Sequence, residues 1–207
     1  MILVIKERES AGVSYQQVVD LLHESFRERL DAGLHYSASS LTVESLIERT
    51  KHGYIYVAFS DEGVMVGVSV LNIKYHRNTK FGYFEYCAVK DGYKHCGIGT
   101  ALLNYRKEVA ISEGCEYILS DTSIKAESAI KYHLRNGFEI VGYESFRSTN
   151  YWSYVFRMQL LHPSVWDYGI YRKISYCLSF VFIRLTRTID GRDTFAGKVY
   201  KKLVCKN

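Results

Sequence analysis

The segment YCAVKDGYKHCGIGTALL, Tyr86 to Leu103, constrains the fold more than any other part of this chain. It begins inside an alternating apolar run, Phe81 to Val89, that reads as a β-strand. From Gly99 onward, Ala101, Leu102, Tyr105 and Val109 recur at helical spacing until Gly114. Between them lie Lys94, His95 and the pair Gly97 and Gly99. Glycines at a strand-to-helix joint let backbone N–H groups approach an anion closely, and the helix start adds about 0.3–1 kcal/mol of attraction. The joint is therefore expected to hold a phosphate-bearing ligand. Two common phosphate loops fail on particular residues. The dinucleotide fingerprint needs a third glycine where Leu102 stands. The P-loop needs Lys-Ser/Thr after its second glycine; Gly92 and Gly97 have the separation, but Ile98 and Gly99 follow.

The rest of the chain supplies the frame. Ile2 to Ile5 is a short strand candidate, and Val18, Val19, Leu21, Leu22 and Phe26 mark a helix over Tyr15 to Leu30 that stops at Gly33. A polar cap within Ser40 to Glu44 opens a second short helix that ends near Gly53. Tyr54 to Phe59 and Val64 to Val70, around a turn with Gly63, read as a hairpin. In the strand ending at Val89, strict alternation puts Tyr83, Glu85, Cys87 and Val89 on one face. Then follow a strand from Tyr117 to Asp121, a helix from Ala126 to Asn136, and strands from Phe138 to Gly142 and Tyr151 to Leu161. The order predicts an α/β (α+β) class, with a mixed, mostly antiparallel central sheet flanked by helices.

The only proline, Pro163, marks the expected boundary between a domain over 1–163 and a C-terminal extension over 164–207. Five cysteines without Cys-x-x-Cys spacing argue against a zinc site or a disulfide framework and fit a reducing cytoplasm. His23, His35, His52, His76 and His162 show no ligand spacing, so no metal is expected. The opening MILVIKERES is too short for a signal-peptide core, and no run reaches the roughly 20 apolar residues of a membrane span. The net charge of +5 is uneven: residues 161–207 hold nine Lys/Arg against three Asp/Glu, and the body has no excess of positive charge to attract nucleic acid.

With both doubly wound folds set aside, the joint resembles the GNAT superfamily of acetyl-CoA-dependent N-acetyltransferases. That family's pattern reads apolar strand, V-x-P-x-x-R/Q-x-x-G-x-G/A, amphipathic helix; this chain has Val89-Lys-Asp-Gly-Tyr-Lys94-His-Cys-Gly97-Ile-Gly99. A second family element, A-x-x-x-Y-x-x-x-G-F, corresponds to Ala129 to Phe138 with His133 in place of the tyrosine, and the resemblance covers roughly residues 1–160. It implies a GNAT fold and acetyl-CoA as co-substrate. The backbone of Cys87, Ala88 and Val89 would then pair with the pantetheine arm. The N–H groups of Lys94, His95, Cys96, Gly97, Ile98, Gly99 and Thr100 would cradle the pyrophosphate. The chain departs from the pattern at Lys94, where a point charge replaces a planar fork. It departs also at Asp91, in place of proline, and at Ala126, where many members carry asparagine.

The resemblance also orders the chemistry. Where the family's last helix often carries a proton-donating tyrosine, the register gives His133, expected as the general acid, with Tyr132 beside it as the competing donor. Two carboxylates compete as base: Asp121 at a strand end, and Glu85 just upstream of the acetyl site. Tyr36, Arg77, Tyr143 and Tyr151 are expected near the acceptor. The function implied is transfer of an acetyl group to a primary amine of a small acceptor, such as an amino sugar or a nucleotide-linked one, by direct attack. The alternative is a non-catalytic acyl-CoA-binding module of the same fold, acting through its tail.

In that tail, apolar residues at 170, 171, 174, 177, 178, 181, 182 and 185 trace one helical face, with Phe180 and Ile183 broadening it. Arg172, Lys173, Arg184 and Arg187 lie largely off that face, and Lys198, Lys201, Lys202 and Lys206 form a second basic cluster. Two readings stand: a helical hairpin packed on the core or on a second copy in a homodimer, or an interfacial helix held against anionic lipid. The expected location is the cytoplasm, peripheral to the inner face of the membrane on the second reading.

Overall fold

In the computed structural model, which describes residues 3–161 and 169–204, the strand that ends at Val89 is the central member of a seven-stranded sheet. The strands are β1 (Val4–Glu7), β2 (Gly53–Phe59), β3 (Met65–His76), β4 (Thr79–Val89), β5 (Tyr117–Ser123), β6 (Glu139–Ser145) and β7 (Trp152–Gln159). Their spatial order is β1-β2-β3-β4-β5-β7-β6, and every neighbouring pair is antiparallel except β4 and β5. The mixed α/β class and the mostly antiparallel sheet expected from the sequence are what the structure has.

Two helices cover one face of the sheet. The first, α1 (Tyr15–Asp31), begins with a capping box in which Ser14 and Gln17 satisfy each other's backbone N–H groups. The second, α2 (Val43–Thr50), is capped by Thr42, whose side chain accepts from the Ser45 N–H. Val18, Leu22 and Leu46 are fully buried here against Ile55, Val57, Val68 and Val70. On the other face, α3 (Ile98–Ser112) packs Ile98, Leu102, Leu103 and Ala110 with Leu71, Phe84, Ile118 and Phe156, and α4 (Glu127–Arg135) adds Ile130 and Tyr132.

Three local readings differ from the structure. The first strand lies at Val4–Glu7, later than Ile2 to Ile5; Ile2 itself is outside the described residues. The β3–β4 hairpin runs on to His76↔Thr79, with Arg77 at φ 53 in the turn, because ladder bonding carries the exposed end Lys74 to His76 beyond the apolar run. The third difference, a bulge in β4, shapes the site and is described with it.

The C-terminal stretch forms α5 (Gly169–Thr186) and α6 (Phe195–Val204). The inner side of α5 runs along β6, the last strand of the sheet, where Gly142 admits it: a Cβ there would lie 2.7 Å from Ser179 Oγ. That hydroxyl accepts from the Tyr143 N–H at 2.8 Å, and Tyr176 and Phe180 pack on the Tyr143 ring. Arg172 pairs with Glu139, and Ser145 Oγ donates to Thr188 O at 2.9 Å. An otherwise open sheet edge is thereby covered. The expected boundary at Pro163 falls within 162–168, and Lys206 within 205–207, outside the described residues.

Candidate active site

The site follows from how β4 and β5 part. Their parallel pairing runs from Phe81↔Tyr117 to Phe84↔Ser120 and stops there. β4 continues to Val89 paired only with β3, and β5 to Ser123 paired only with β7. A cleft of about 990 Å³ opens between the diverging strands, lined by Glu85 to Val89 on one side and by Ser120 to Thr122 on the other.

At the head of the cleft, β4 bulges. Val68 faces Ala88 and Val70 faces Glu85, so Tyr86 and Cys87 together oppose Ser69. Tyr86 takes φ 47, a conformation that costs a bulky residue on the order of 1–2 kcal/mol. The bulge corrects the face assignment read from strict alternation. Tyr86 and Ala88 belong to the cluster under α1 and α2, where Glu85 feels Lys74, Arg49 and Asp121. Arg106 and Tyr132, on the α3–α4 side, instead feel Cys87. Glu85 and Cys87 therefore face opposite sides of the sheet.

The side under α1 and α2 is acidic and aromatic. Asp121 Oδ1 accepts from Tyr83 Oη at 2.7 Å, and Glu85 Oε2 accepts from Asn72 Nδ2 at 2.5 Å. Burial pushes both carboxyls above the usual carboxylate range; the Tyr83 hydroxyl pulls Asp121 back in part, Lys74 and Arg49 pull Glu85 back, and the Asp121 charge raises Glu85 again. Tyr36 and Tyr151 form the wall, 4.9 Å between ring centroids. Among the described residues the Tyr36 hydroxyl is buried without a hydrogen-bond partner, and the buried Tyr86 hydroxyl lies beside the Ser37 side chain. Of the other residues expected near an acceptor, Arg77 is in the distant hairpin turn and Tyr143 lies under α5.

At the mouth, Gly97 caps α3 with φ 82, and a Cβ there would meet nothing within 4 Å. Glycine is needed for its backbone angle, since crowding plays no part. Among the described residues no side chain caps the first N–H groups of α3, which point out of the helix end. Lys94 Nζ lies 2.5 Å from Asp91 Oδ1, which keeps this exposed cation beside the loop. His95 has φ 65 and Cys96 is exposed, and both contribute backbone to the loop. Ile98 is buried, while Gly99 and Thr100 line the cleft.

On α4 the structure separates the two candidate proton donors. Tyr132 Oη donates to Gly99 O at 2.7 Å and lines the cleft; burial raises its pKa, so the phenol stays protonated. The neighbouring His133 packs on Phe156 with ring centroids 4.4 Å apart. Its Nδ1–H donates to Ala129 O at 2.7 Å, and Nε2 accepts from Ser120 Oγ at 3.0 Å. Burial lowers its pKa to about 4, so at neutral pH it is an uncharged ring with both nitrogens engaged. One consequence is measurable. The unfolded chain binds a proton at His133 near the ordinary pKa of about 6.5, and the folded chain only near 4, so its contribution to stability is present above 6.5 and lost as pH falls. Relative to His133→Gln, the wild type is expected to lose roughly 3 kcal/mol between pH 6.5 and 4 in urea unfolding. The comparison cancels the opposite trend of the raised carboxyls.

One site residue has no counterpart among the expectations. Arg106 lies on the buried stripe of α3 with Ile98, Leu102, Leu103 and Ala110, and is only 2% exposed. Its guanidinium donates to Val70 O at 3.0 Å and lies 4.0 Å over the Phe84 ring, yet it forms no ion pair among the described residues. It lines the cleft, and its charge partly offsets the effect of burial on the Tyr132 phenol. Burial pulls its pKa down, but arginine remains cationic. A charged residue at an apolar helix position was the signal in the sequence. Among the described residues no group of three or more His, Cys, Asp or Glu is placed to hold a metal ion.

Comparison with known proteins bears on this geometry. Residues 15–138 match the acetyltransferase (GNAT) family. The PaiA N-acetyltransferase of Thermoplasma acidophilum, solved in complex with coenzyme A, is 16% identical with a TM-score of 0.61, over 77% of this chain and 100% of that one. A GNAT family acetyltransferase from Elizabethkingia anophelis with acetyl-CoA bound is 16% identical with a TM-score of 0.57, over 76% and 98%. An IAA acetyltransferase from Bacillus cereus is 18% identical with a TM-score of 0.57, over 77% and 100%. At these identities the likeness is one of fold. Comparison with curated protein sequences found no match.

Proposed function

The chain belongs to the acetyltransferase (GNAT) family, and from that premise we propose that it transfers the acetyl group of acetyl-CoA to the primary amine of a small acceptor bearing hydroxyls. The observation that carries this reading is the two-sided cleft, with the uncapped N–H groups of a helix start at its mouth and buried carboxyls across the sheet from a buried guanidinium.

Each part has a task. The N–H groups from Lys94 to Thr100 fit a pyrophosphate, and the unpaired edge of β4 at Cys87, Ala88 and Val89 fits an extended amide-bearing arm. The acceptor lies against Tyr36 and Tyr151, with the buried Tyr36 hydroxyl available to its polar groups. It arrives as an ammonium, and the Glu85–Asp121 pair, poised above the ordinary carboxylate range, takes one proton and passes it to solvent. The freed nitrogen lone pair attacks the thioester carbon; the C–N bond forms, the C–S bond breaks, and the second ammonium proton ends on sulfur. The products are an acetamide and a free thiol. Tyr132 is too weak an acid to surrender its proton outright, so it acts by turning its one O–H from Gly99 O to the developing thiolate, within the field of Arg106. A neutral, engaged His133 holds α4 in place.

The test is mass-spectrometric detection of free CoA and acetylated amine, with amino sugars, nucleotide-linked amino sugars, aminoglycosides, polyamines and peptide amines offered as acceptors. Turnover of a hydroxylated class is expected, and Tyr132→Phe is expected to lower kcat about a hundredfold while acetyl-CoA still binds. Binding of acetyl-CoA with no acetylated product from any class would favour a non-catalytic acyl-CoA-binding module.

A further inference from the structure

The tail presents its apolar residues outward. On α5, the residues packed on β6 are Tyr176, Ser179, Phe180 and Ile183, the last only 3% exposed. The apolar face traced in the sequence is the opposite one. Ile170, Ile174, Leu178, Val181 and Leu185 are each at least half exposed, and one helical face carries them all. The face continues onto α6. Phe182 meets Tyr200 with ring centroids 5.2 Å apart, and Phe195 and Leu203 stand 84% and 75% exposed. Single exposed apolar residues need no explanation, but a continuous face over two helices marks a surface that is covered in use.

Charge identifies what covers it. Several of the tail's cations are held by acids: Arg172 by Glu139, and Arg187 and Lys201 by Asp193. Lys173, Arg184, Lys198 and Lys202 are exposed and form no ion pair among the described residues. On a helical wheel, Lys173 and Arg184 border the apolar arc of α5 on one side, and Lys198 and Lys202 border that of α6. A two-fold contact through this face would bring two such cationic rims together, whereas an anionic surface complements them. Among the described residues no helix is long and apolar enough to cross a membrane. We propose that α5 and α6 dock this enzyme onto the surface of a bilayer containing anionic phospholipid, with the apolar face in the headgroup–acyl boundary and the free cations at the phosphates. The inner side of α5 stays on β6, so docking leaves the catalytic domain folded and tethered.

The experiment is co-sedimentation of the full chain with phosphatidylcholine vesicles, with and without 30% phosphatidylglycerol. Binding is expected only to the anionic vesicles and is expected to weaken as salt rises. Leu178→Glu/Phe195→Glu abolishes it, and Lys198→Gln/Lys202→Gln weakens it about thirtyfold. These side chains are exposed, so acetyl-CoA binding measured by calorimetry remains and reports an intact fold. Equal partition onto neutral and anionic vesicles, or no sedimentation with either, overturns the proposal. So does a dimer in sedimentation velocity that Leu178→Glu/Phe195→Glu splits into monomers, which would make a second copy the occupant.

Discussion

Glu85→Gln/Asp121→Asn is expected to bind acetyl-CoA as the wild type does and to lose about 10²- to 10⁴-fold in kcat/KM for the amine. The loss follows from the position of the pair. Both carboxyls lie on the α1–α2 side of the split sheet, away from Cys87, where an amine can reach them without displacing the donor's arm. Burial raises both pKa values, so the acid limb of the kcat/KM profile should lie above the ordinary carboxylate value of about 4. Because the Asp121 charge raises Glu85, Asp121→Asn alone should move the remaining limb to lower pH. Double-amide activity within threefold of wild type would remove the pair from the chemistry.

Arg106→Leu is expected to change activity and stability in opposite directions. A guanidinium held by two carbonyls, Val70 O and Leu102 O, and one ring, with no ion pair among the described residues, is a costly occupant of a helix's apolar stripe. Leucine there should stabilise the fold by about 1–4 kcal/mol, read as a higher urea midpoint. The leaving thiolate loses a buried cation that lines the cleft, so kcat should fall about tenfold to a hundredfold with little change in KM for acetyl-CoA. Arg106→Lys should restore little, because an ammonium lacks the planar group that both meets Val70 O and stacks on Phe84. A variant that loses stability and keeps kcat would make Arg106 a structural residue only.

These two expectations differ in how much of them the sequence carried. Glu85 and Asp121 were candidates because their residue types sit near a recognisable joint, and the joint was legible because a positive φ at a helix start selects glycine locally. What could not be read was the side of the sheet each residue takes. The bulge that turns Glu85 away from Cys87 is made by Tyr86, which gives no local signal, and it is fixed by the partner strand β3. The same limit applies to α4. Counting from Ala129 to Gly137 singles out His133, but the packing of Phe138 and Phe156 draws that ring inward and leaves Tyr132 at Gly99. Arg106 could have been found by asking which residue interrupts the apolar stripe of α3. In the tail the period was legible, but whether the aliphatic face met the core, a second copy or lipid was not. The mixed face of Tyr176, Ser179 and Phe180 meets the core because it suits the edge strand's N–H better than an aliphatic one.

The most direct test of acetyl transfer in this cleft is a single turnover with carbonyl-¹³C acetyl-CoA and an acceptor of the hydroxylated amine class, followed by ¹³C NMR. Direct attack predicts that the thioester carbon signal converts to an amide signal on the acceptor at the rate free CoA appears, with no label on the protein. Label that stays as bound thioester would contradict catalysis, and label on Cys87 would contradict direct attack.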